Sequence, residues 1–427
     1  MKYAISTLGC KVNQFDSFAL ECFLARYGIT PADEGDADVI IVNTCAVTAE
    51  SERKSRQAVR KLKSENPRAA VVVCGCSAQV SPAAAEALGA QLVWGSGDRE
   101  GLAAAIAELL GGSEVKGELD DPFARREIER LPAGAFEGRT RAYVRIQDGC
   151  SNFCTYCIIP YARGRARSLP VTEAAAQAGE LCAAGFREIV VTGIEISSYG
   201  KDLPGRPTLA DVVRAMSEAA PEARLRLGSL EPRVITPELC RALAEIGSVC
   251  PHFHLSLQSG SDGVLKRMGR KYNPEQFYGA VCLLREHFPD CALTADLITG
   301  FPAETEAEHR ETLDFISRCG FSRMHIFPYS VRLGTKAAEM PQQVEKSVKE
   351  RRAAEARSVA AAMQERYHLS RVGKMETVLF EVQKDGFWYG HAANYCPVRT
   401  SDDAIRGKFY DVLIKNADKD TLSGNIV

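Results

Sequence analysis

Three closely spaced cysteines constrain this chain more than any other feature. Cys150, Cys154 and Cys157 stand in the segment DGCSNFCTYCIIPYARG, a C-x3-C-x2-C pattern. The run follows the apolar stretch 141–146, which reads as a strand, so the cysteines sit on a loop at that strand's C-terminal end. Further strand-like stretches follow at 188–192, 225–229, 252–257, 292–298 and 324–329, with helical segments between them. Such alternation builds a parallel sheet. Six repeats are too few for the usual eight-stranded barrel but enough for a curved, partly open one, whose chemistry sits at the C-terminal ends of the strands.

Three thiolates supply three of the four ligands that a cubane [4Fe–4S] cluster takes, which leaves one iron open. An open iron can bind the amino and carboxylate groups of S-adenosylmethionine (SAM) and pass an electron into the sulfonium. Homolysis yields a 5′-deoxyadenosyl radical able to remove hydrogen from an unactivated carbon. Zinc is the competing reading. It would want a fourth Cys or His nearby, and none lies close in sequence.

The chain has 427 residues, so about two or three domains are expected. Hydrophobic residues make up 45% and charged residues 25%, an ordinary globular balance. No apolar run reaches the ~18–20 residues that span a bilayer. The opening MKYAISTLGC faintly resembles a lipoprotein signal, but the apolar stretch before Cys10 is too short for one. The expected location is cytoplasmic. There, 15 cysteines point to metal or redox chemistry rather than disulfides. A net charge of −2 gives no global electrostatic sign of a nucleic-acid partner, so RNA contacts would come from local patches.

Before the cysteine loop, residues 1–135 alternate apolar runs (3–8, 39–43, 70–75, 91–94) with helix-like segments (17–27, 50–63), a second parallel α/β unit. The stretch 111–132 lacks periodicity and reads as a linker. Cys10, Cys45 and Cys76 each stand just past one of these runs. Ends of parallel strands lie along one edge, so three cysteines distant in sequence should meet there. By spacing alone they are equally well read as buried small hydrophobes. Cys74, two residues before Cys76, is a rival ligand expected to point the same way. Cys22, Cys74, Cys182, Cys240, Cys250, Cys282, Cys291, Cys319 and Cys396 fit apolar packing.

A helix over 344–367 closes the second region, 136–368. Residues 369–427 then change character. Asp385-Gly386 between the strand-like runs 374–382 and 387–391 signals a hairpin, and several short strands suggest a small β-barrel. Three places could meet RNA. Arg53, Arg56, Arg60 and Lys63 share a helical face, Arg163, Arg165 and Arg167 follow the cysteine loop, and Phe387, Trp388 and Tyr389 offer stacking faces.

CSNFCTYC resembles the radical-SAM superfamily signature. Its SAM site implies roles for Thr192, Gly193 and Glu195 at the second-strand turn, Ser229 and Glu231 after the third strand, and Gln258 after the fourth. The motifs LGCKVNQFDS, NTCAV, CGCSAQ, LQSGSDGVLKRMGRKY, DLITGFPAETEAEH and FPYSVRLGTKA resemble the methylthiotransferase family over nearly the whole chain. That resemblance implies a central (β/α)6 radical-SAM barrel and a C-terminal TRAM-like RNA-binding barrel. It also implies a second [4Fe–4S] cluster on Cys10, Cys45 and Cys76. One SAM would methylate a sulfide on that cluster, and a second would supply the radical that activates the substrate carbon. CKVNQ and GFWYGHAANY are most similar to the MtaB-type subgroup, which implies N6-threonylcarbamoyladenosine beside the tRNA anticodon as substrate. Glu195 stands where that subgroup is expected to have His. The threonylcarbamoyl carboxylate would pair with one of Arg163, Arg165 or Arg167. Further expectations are a monomer, an electron donor such as flavodoxin or ferredoxin, and a sulfur donor. The alternatives are isopentenyladenosine or a ribosomal-protein aspartate as substrate, or a non-enzymatic iron–sulfur protein.

Overall fold

The computed structural model describes residues 1–117, 119–134 and 138–427. The expected boundary at 135/136 falls on residues outside these. The first sheet holds β1 (Lys2–Thr7), β2 (Thr30–Pro31), β3 (Val39–Thr44), β4 (Ala70–Gly75) and β5 (Leu92–Val93). All pair parallel, in the order β2-β1-β3-β4-β5. β3 is buried along its whole length, as its near-continuous Val/Ile composition requires of a central parallel strand. Helix α1 (Lys11–Arg26) starts directly after Cys10, earlier than expected. Its first turns bury Asn13, Asp16 and Ser17, so hydrophobic periodicity does not mark them. Helix α2 (Ala49–Glu65) is capped by the Thr48 side chain, which accepts from the Ser51 N–H, with Glu50 and Glu52 in the first turn. Helix α3 (Cys76–Val80) begins at a cysteine.

The central region carries β6 (Arg141–Asp148), β7 (Arg167–Ser168), β8 (Glu188–Gly193), β9 (Arg224–Leu227), β10 (Ser229–Leu230), β11 (His252–Gln258), β12 (Ala292–Thr299) and β13 (Arg323–Pro328). They form two four-stranded sheets, β7-β6-β8-β9 and β10-β11-β12-β13. Within each the strands pair parallel, except β7, which is antiparallel to β6. Gly228 separates β9 from β10, and a parallel bridge pairs Leu225 of β9 with Val249, in the segment that leads into β11. One apolar core runs from Ala142 and Val144 through Leu225 and Phe253 to Leu297, so the two sheets make one curved, open barrel. The helix Lys346–Leu369 closes this part.

The last strands are β14 (Met375–Lys384), β15 (Phe387–Ala392), β16 (Pro397–Thr400), β17 (Phe409–Ala417) and β18 (Leu422–Ile426). They close into a barrel in the order β14-β15-β16-β18-β17 around Val378, Phe380, Val398 and Ile414. Asp385 (φ 51°) and Gly386 (φ 79°) turn β14 into β15, the two left-handed residues that a tight hairpin needs. Among the described residues no helix is long and apolar enough to cross a membrane.

Candidate functional site

Cys150 stands two residues past β6, on a loop pinned at both ends. Its N–H donates to the Gly164 carbonyl (3.0 Å), and the Thr155 N–H donates to the Met268 carbonyl (2.9 Å). Gly149 takes φ 70°, and a Cβ there would collide with the Arg165 carbonyl, so the turn into the loop requires glycine. Phe153, between the first two cysteines, is held left-handed at φ 49°, and Gln258 at the end of β11 at φ 65°. Each such residue costs on the order of 1–3 kcal/mol and persists only where its surroundings over-determine it.

Cys150, Cys154 and Cys157 line one cavity of about 300 Å³ together with Glu195, Gln258 and Asp296. Burial pushes the Cys150 and Cys157 thiols up to about 12, so without a cation both stay protonated. Three soft donors that converge on one cavity fit an iron–sulfur cluster with one open iron. Arg270 donates through Nη1 to Cys154 Sγ (3.3 Å), and its Nη2 lies 3.7 Å from Glu231. Glu231 itself opens onto a different cavity of about 560 Å³, which holds no cysteine. Thr192 is buried in β8. Gly193 packs so closely that a Cβ would lie 2.8 Å from the Gln147 carbonyl oxygen. The Glu195 N–H donates to Gln147 Oε1 (2.7 Å), which brings Glu195 onto the thiol-lined cavity. Ser229 opens β10 and is not among the residues that line that cavity.

Val47, Thr48 and Ser330 also line the thiol cavity. The Ala49 N–H donates to Ser330 Oγ (2.9 Å), and Arg332 pairs with Glu52 (2.7 Å). The C-terminal edge of the first sheet thus faces the C-terminal edge of the barrel. At that edge the second cysteine set converges. Cys10 Sγ and Cys76 Sγ lie 4.0 and 3.8 Å from Asn13 Oδ1. Gly9 (φ 108°) comes so near Cys45 that a Cβ would meet its Sγ at 2.8 Å. Asn13 is fixed by donating to the Leu8 (2.9 Å) and Thr44 (2.8 Å) carbonyls. Burial pushes the Cys45 thiol up to about 11. Cys74 does not point the same way as Cys76, because Cys76 has left the strand and opens α3. Cys74 packs instead in the sheet core with Trp94 and Leu102.

Arg163 joins the two halves. It donates from Nε to Cys76 Sγ (3.2 Å), from Nη2 to Asn13 Oδ1 (2.8 Å) and Asp16 Oδ2 (2.7 Å), and from Nη1 to Asp148 Oδ1 (3.1 Å). Arg145 donates to Asp16 (2.8 Å) and Arg167 to Asp148 (3.3 Å). Burial would raise the Asp148 pKa. The guanidiniums of Arg163, Arg145 and Arg167 outweigh it and hold that carboxyl well below the usual range. This corrects the sequence expectation for the arginine strip. Arg163 and Arg167 are buried in an internal network, and Arg165 alone of the three is exposed, with its guanidinium over the Phe153 ring at 6.0 Å. On α2, Arg53 and Arg56 pair with Glu50 and Glu52, which cancels much of the expected basic face. Phe387 is exposed, whereas Trp388 packs on the small barrel's core. Six of the nine other cysteines, Cys74, Cys240, Cys250, Cys291, Cys319 and Cys396, are buried as expected, but Cys282 is exposed.

Sequence alone does not single out Arg270, Asn13 or the trio His254, Asp296 and His325. Asp296 accepts from His254 Nε2 (3.1 Å) and His325 Nδ1 (3.2 Å) across the barrel interior. Strand alternation in HFHLS and in ALTADLIT was the available signal, since it turns these side chains away from the covering helices.

Comparison with known proteins decides the family. Residues 144–316 match the Radical SAM superfamily, and residues 2–95 match uncharacterized protein family UPF0004. The chain is 37% identical over 415 residues (96% of this chain, 94% of the relative) to a Thermotoga maritima protein named threonylcarbamoyladenosine tRNA methylthiotransferase MtaB. A Bacillus subtilis protein of the same name is 37% identical over 423 residues, covering 97% and 94%. The chain belongs to the radical-SAM methylthiotransferase family. A further relative, from Pelotomaculum thermopropionicum, is named tRNA-2-methylthio-N(6)-dimethylallyladenosine synthase and is 33% identical over 439 residues, covering 99% and 97%. Among solved structures, the radical SAM methyltransferase TsrM from Kitasatospora setae overlays with a TM-score of 0.55 at 17% identity, covering 79% of this chain and 77% of that one, a likeness of fold. As a methylthiotransferase, this chain is an enzyme that transfers a sulfur-containing group by radical-SAM chemistry, with SAM and [4Fe–4S] clusters as cofactors.

Proposed function

We propose that this methylthiotransferase converts N6-threonylcarbamoyladenosine beside the tRNA anticodon to its 2-methylthio derivative. The observation that carries the reading is that the sheet edge bearing Cys10, Cys45 and Cys76 faces the barrel edge, where Val47 and Thr48 join Cys150, Cys154 and Cys157 in lining one cavity. The names of the relatives at 37% identity support the choice of base. Cys150, Cys154 and Cys157 would hold the SAM-binding cluster, and Cys10, Cys45 and Cys76 the cluster that carries the sulfur. When bound, SAM and the clusters supply the hydrogen-abstracting radical and the methylthio group.

The chain's own residues do the rest. Arg270 and Arg163 each donate to one cysteine sulfur, Cys154 and Cys76, and would orient those sulfurs as ligands. Gly193 and Glu195 at the turn after β8, with Gln258 after β11, would frame SAM. Thr192 and Ser229 act through the strand ends that carry these turns, and Glu231 through its approach to Arg270. The division 1–135, 136–368 and 369–427 assigns sulfur, radical and RNA binding to successive parts of the chain. We further assign it to the cytoplasm as a monomer served by a flavodoxin- or ferredoxin-like reductant and a separate sulfur donor.

The test gives purified, cluster-loaded enzyme two tRNA pools, one with threonylcarbamoyl and one with isopentenyl adenosine, and measures methylthiolated nucleosides. Product from the first pool alone is expected. Equal turnover of both, or product from the isopentenyl pool alone, contradicts the substrate assignment.

A further inference from the structure

Alternate side chains of a strand share one face, and the second barrel sheet turns one such face to the thiol cavity. Ile298 of β12 and Phe327 of β13 stand opposite each other and line that cavity near the strand ends. Asp296 and His325 form the next pair, two residues further into the barrel. His254 of β11 lies one step lower, opposite Thr294 of β12. Of the His254, Asp296 and His325 trio, Asp296 alone lines the cavity with Cys150, Cys154 and Cys157.

The carboxylate is held from two sides. His254 Nε2 donates to Asp296 Oδ2 (3.1 Å) and His325 Nδ1 to Oδ1 (3.2 Å). Behind His254 the bonding continues. Its Nδ1 lies 2.8 Å from Thr294 Oγ1, which in turn lies 3.3 Å from His252 Nε2. One set of protons satisfies every link. His252 Nε2–H donates to Thr294, the Thr294 hydroxyl donates to His254 Nδ1, and the proton left on His254 Nε2 points at Asp296. Burial would raise the Asp296 pKa, but the bonds from His254 and His325 outweigh it and hold the carboxyl below the usual range. An ionised carboxylate only accepts, and each oxygen has two lone pairs. Among the described residues Asp296 has no partner besides the two imidazoles, and 30% of its side chain is exposed. Each oxygen therefore keeps acceptor capacity for a donor in the cavity.

We propose that Asp296 touches the substrate base by accepting its N6–H, and that His254 and His325 are positioning residues that aim the carboxylate. This rests on the reading that the substrate is an N6-substituted adenosine in RNA. Such a base carries a single N–H of its own, at N6. The contact serves a threonylcarbamoyl and an isopentenyl base alike, because both keep that N–H. It seats the base against the barrel wall beneath the cysteine loop. A base without the N–H leaves a partly buried carboxylate unpaired and is penalised.

The experiment uses cluster-loaded, full-length enzyme and anticodon stem-loop RNAs with threonylcarbamoyladenosine, either bearing its N6–H or methylated at N6. On the N6–H RNA, Asp296→Asn should lower kcat/KM by about tenfold to a hundredfold, the range of a hydrogen bond to a charged group. It should also raise the amount of 5′-deoxyadenosine formed per methylthio product, because a misplaced base fails to meet the radical. His254→Gln and His325→Gln should lose less and shift that ratio in the same direction. Methylation at N6 should cost wild type a factor similar to the substitution and cost Asp296→Asn little further. Equal kcat/KM for wild type and Asp296→Asn on the N6–H RNA overturns the proposal. So does an unchanged ratio while product falls, which would put the carboxylate on SAM instead, and so do losses from methylation and substitution that multiply in full. Should Asp296→Asn load less iron than wild type, the two RNAs compared on wild type decide, and equal rates overturn the proposal. Wild type that turns over only an isopentenyl RNA sinks the threonylcarbamoyl reading, and that RNA with and without its N6–H then decides the role of Asp296.

Discussion

Cys74 and Cys76 are two residues apart and burial raises both thiols, but their surroundings differ. Cys74 sits in β4 inside the apolar core, where burial pushes its thiol pKa up. Cys76 begins α3 at the sheet edge, near Asn13 and under the Arg163 guanidinium. Cys76→Ser should therefore lose one cluster, about four of eight irons per chain, and Cys74→Ser should keep both. Iron analysis with visible spectra of anaerobically reconstituted protein checks this, and the reverse pattern contradicts the assignment. Asp148 offers a second residue-scale test. Replacing it with Asn leaves buried guanidiniums short of a partner, which costs about 3–5 kcal/mol. Because the folded carboxyl titrates below its unfolded value, its contribution is present above the ordinary carboxylate range and is lost as pH falls below it. Urea unfolding of the cluster-free chain should show a large deficit for Asp148→Asn at pH 7 that shrinks towards pH 3. The three-cysteine loop was legible at this scale because its ligands are local in sequence. The Arg163 network was not, because Asn13, Asp16, Cys76, Asp148 and Arg163 meet only after folding.

Among the elements, α1 departs most from what the sequence pattern implies. It starts six residues before the periodic pattern does, since Asn13, Asp16 and Ser17 are polar yet buried. Their burial is satisfied by contacts that no periodicity displays, such as the bond from Asn43 Nδ2 to Ser17 Oγ (2.9 Å). Strands such as VIIVNT and HFHLSLQ are legible because the runs themselves carry their burial pattern. The same helix holds Glu21, whose carboxyl burial pushes up to about 7 against a hydrogen bond with Tyr3 that lowers it. A carboxyl with a raised folded pKa weakens the fold as pH rises from its unfolded value through 7, and the cost is then fully present. Glu21→Gln should raise the melting temperature at pH 8 and leave it nearly unchanged near pH 4.5. A gain of equal size at both values would show that Glu21 ionisation is not the cause.

For the whole molecule, the three parts interlock more than their linear order suggests. Arg224 donates to the carbonyls of Thr377 (3.0 Å) and His391 (2.9 Å), and Arg226 to that of Ala393 (2.9 Å). The small barrel thus completes the hydrogen bonding of the large barrel's buried arginines. A chain ending at residue 369 should melt lower than the full chain even with both clusters loaded. Equal melting of the first two parts would show that the small barrel is only appended. Sequence revealed that barrel through its Asp-Gly hairpin but not its docking, which uses backbone carbonyls that any sequence could supply. The central claim is that the facing cysteine sets make one methylthiolating site for threonylcarbamoyladenosine. Its most direct test is mass spectrometry of nucleosides from bulk tRNA of a host that lacks this modification and expresses either the chain or its Cys150/Cys154/Cys157→Ala variant. The account predicts 2-methylthio-N6-threonylcarbamoyladenosine with the intact chain and none with the variant. Its absence in both, or a methylthio group on isopentenyladenosine alone, would contradict it.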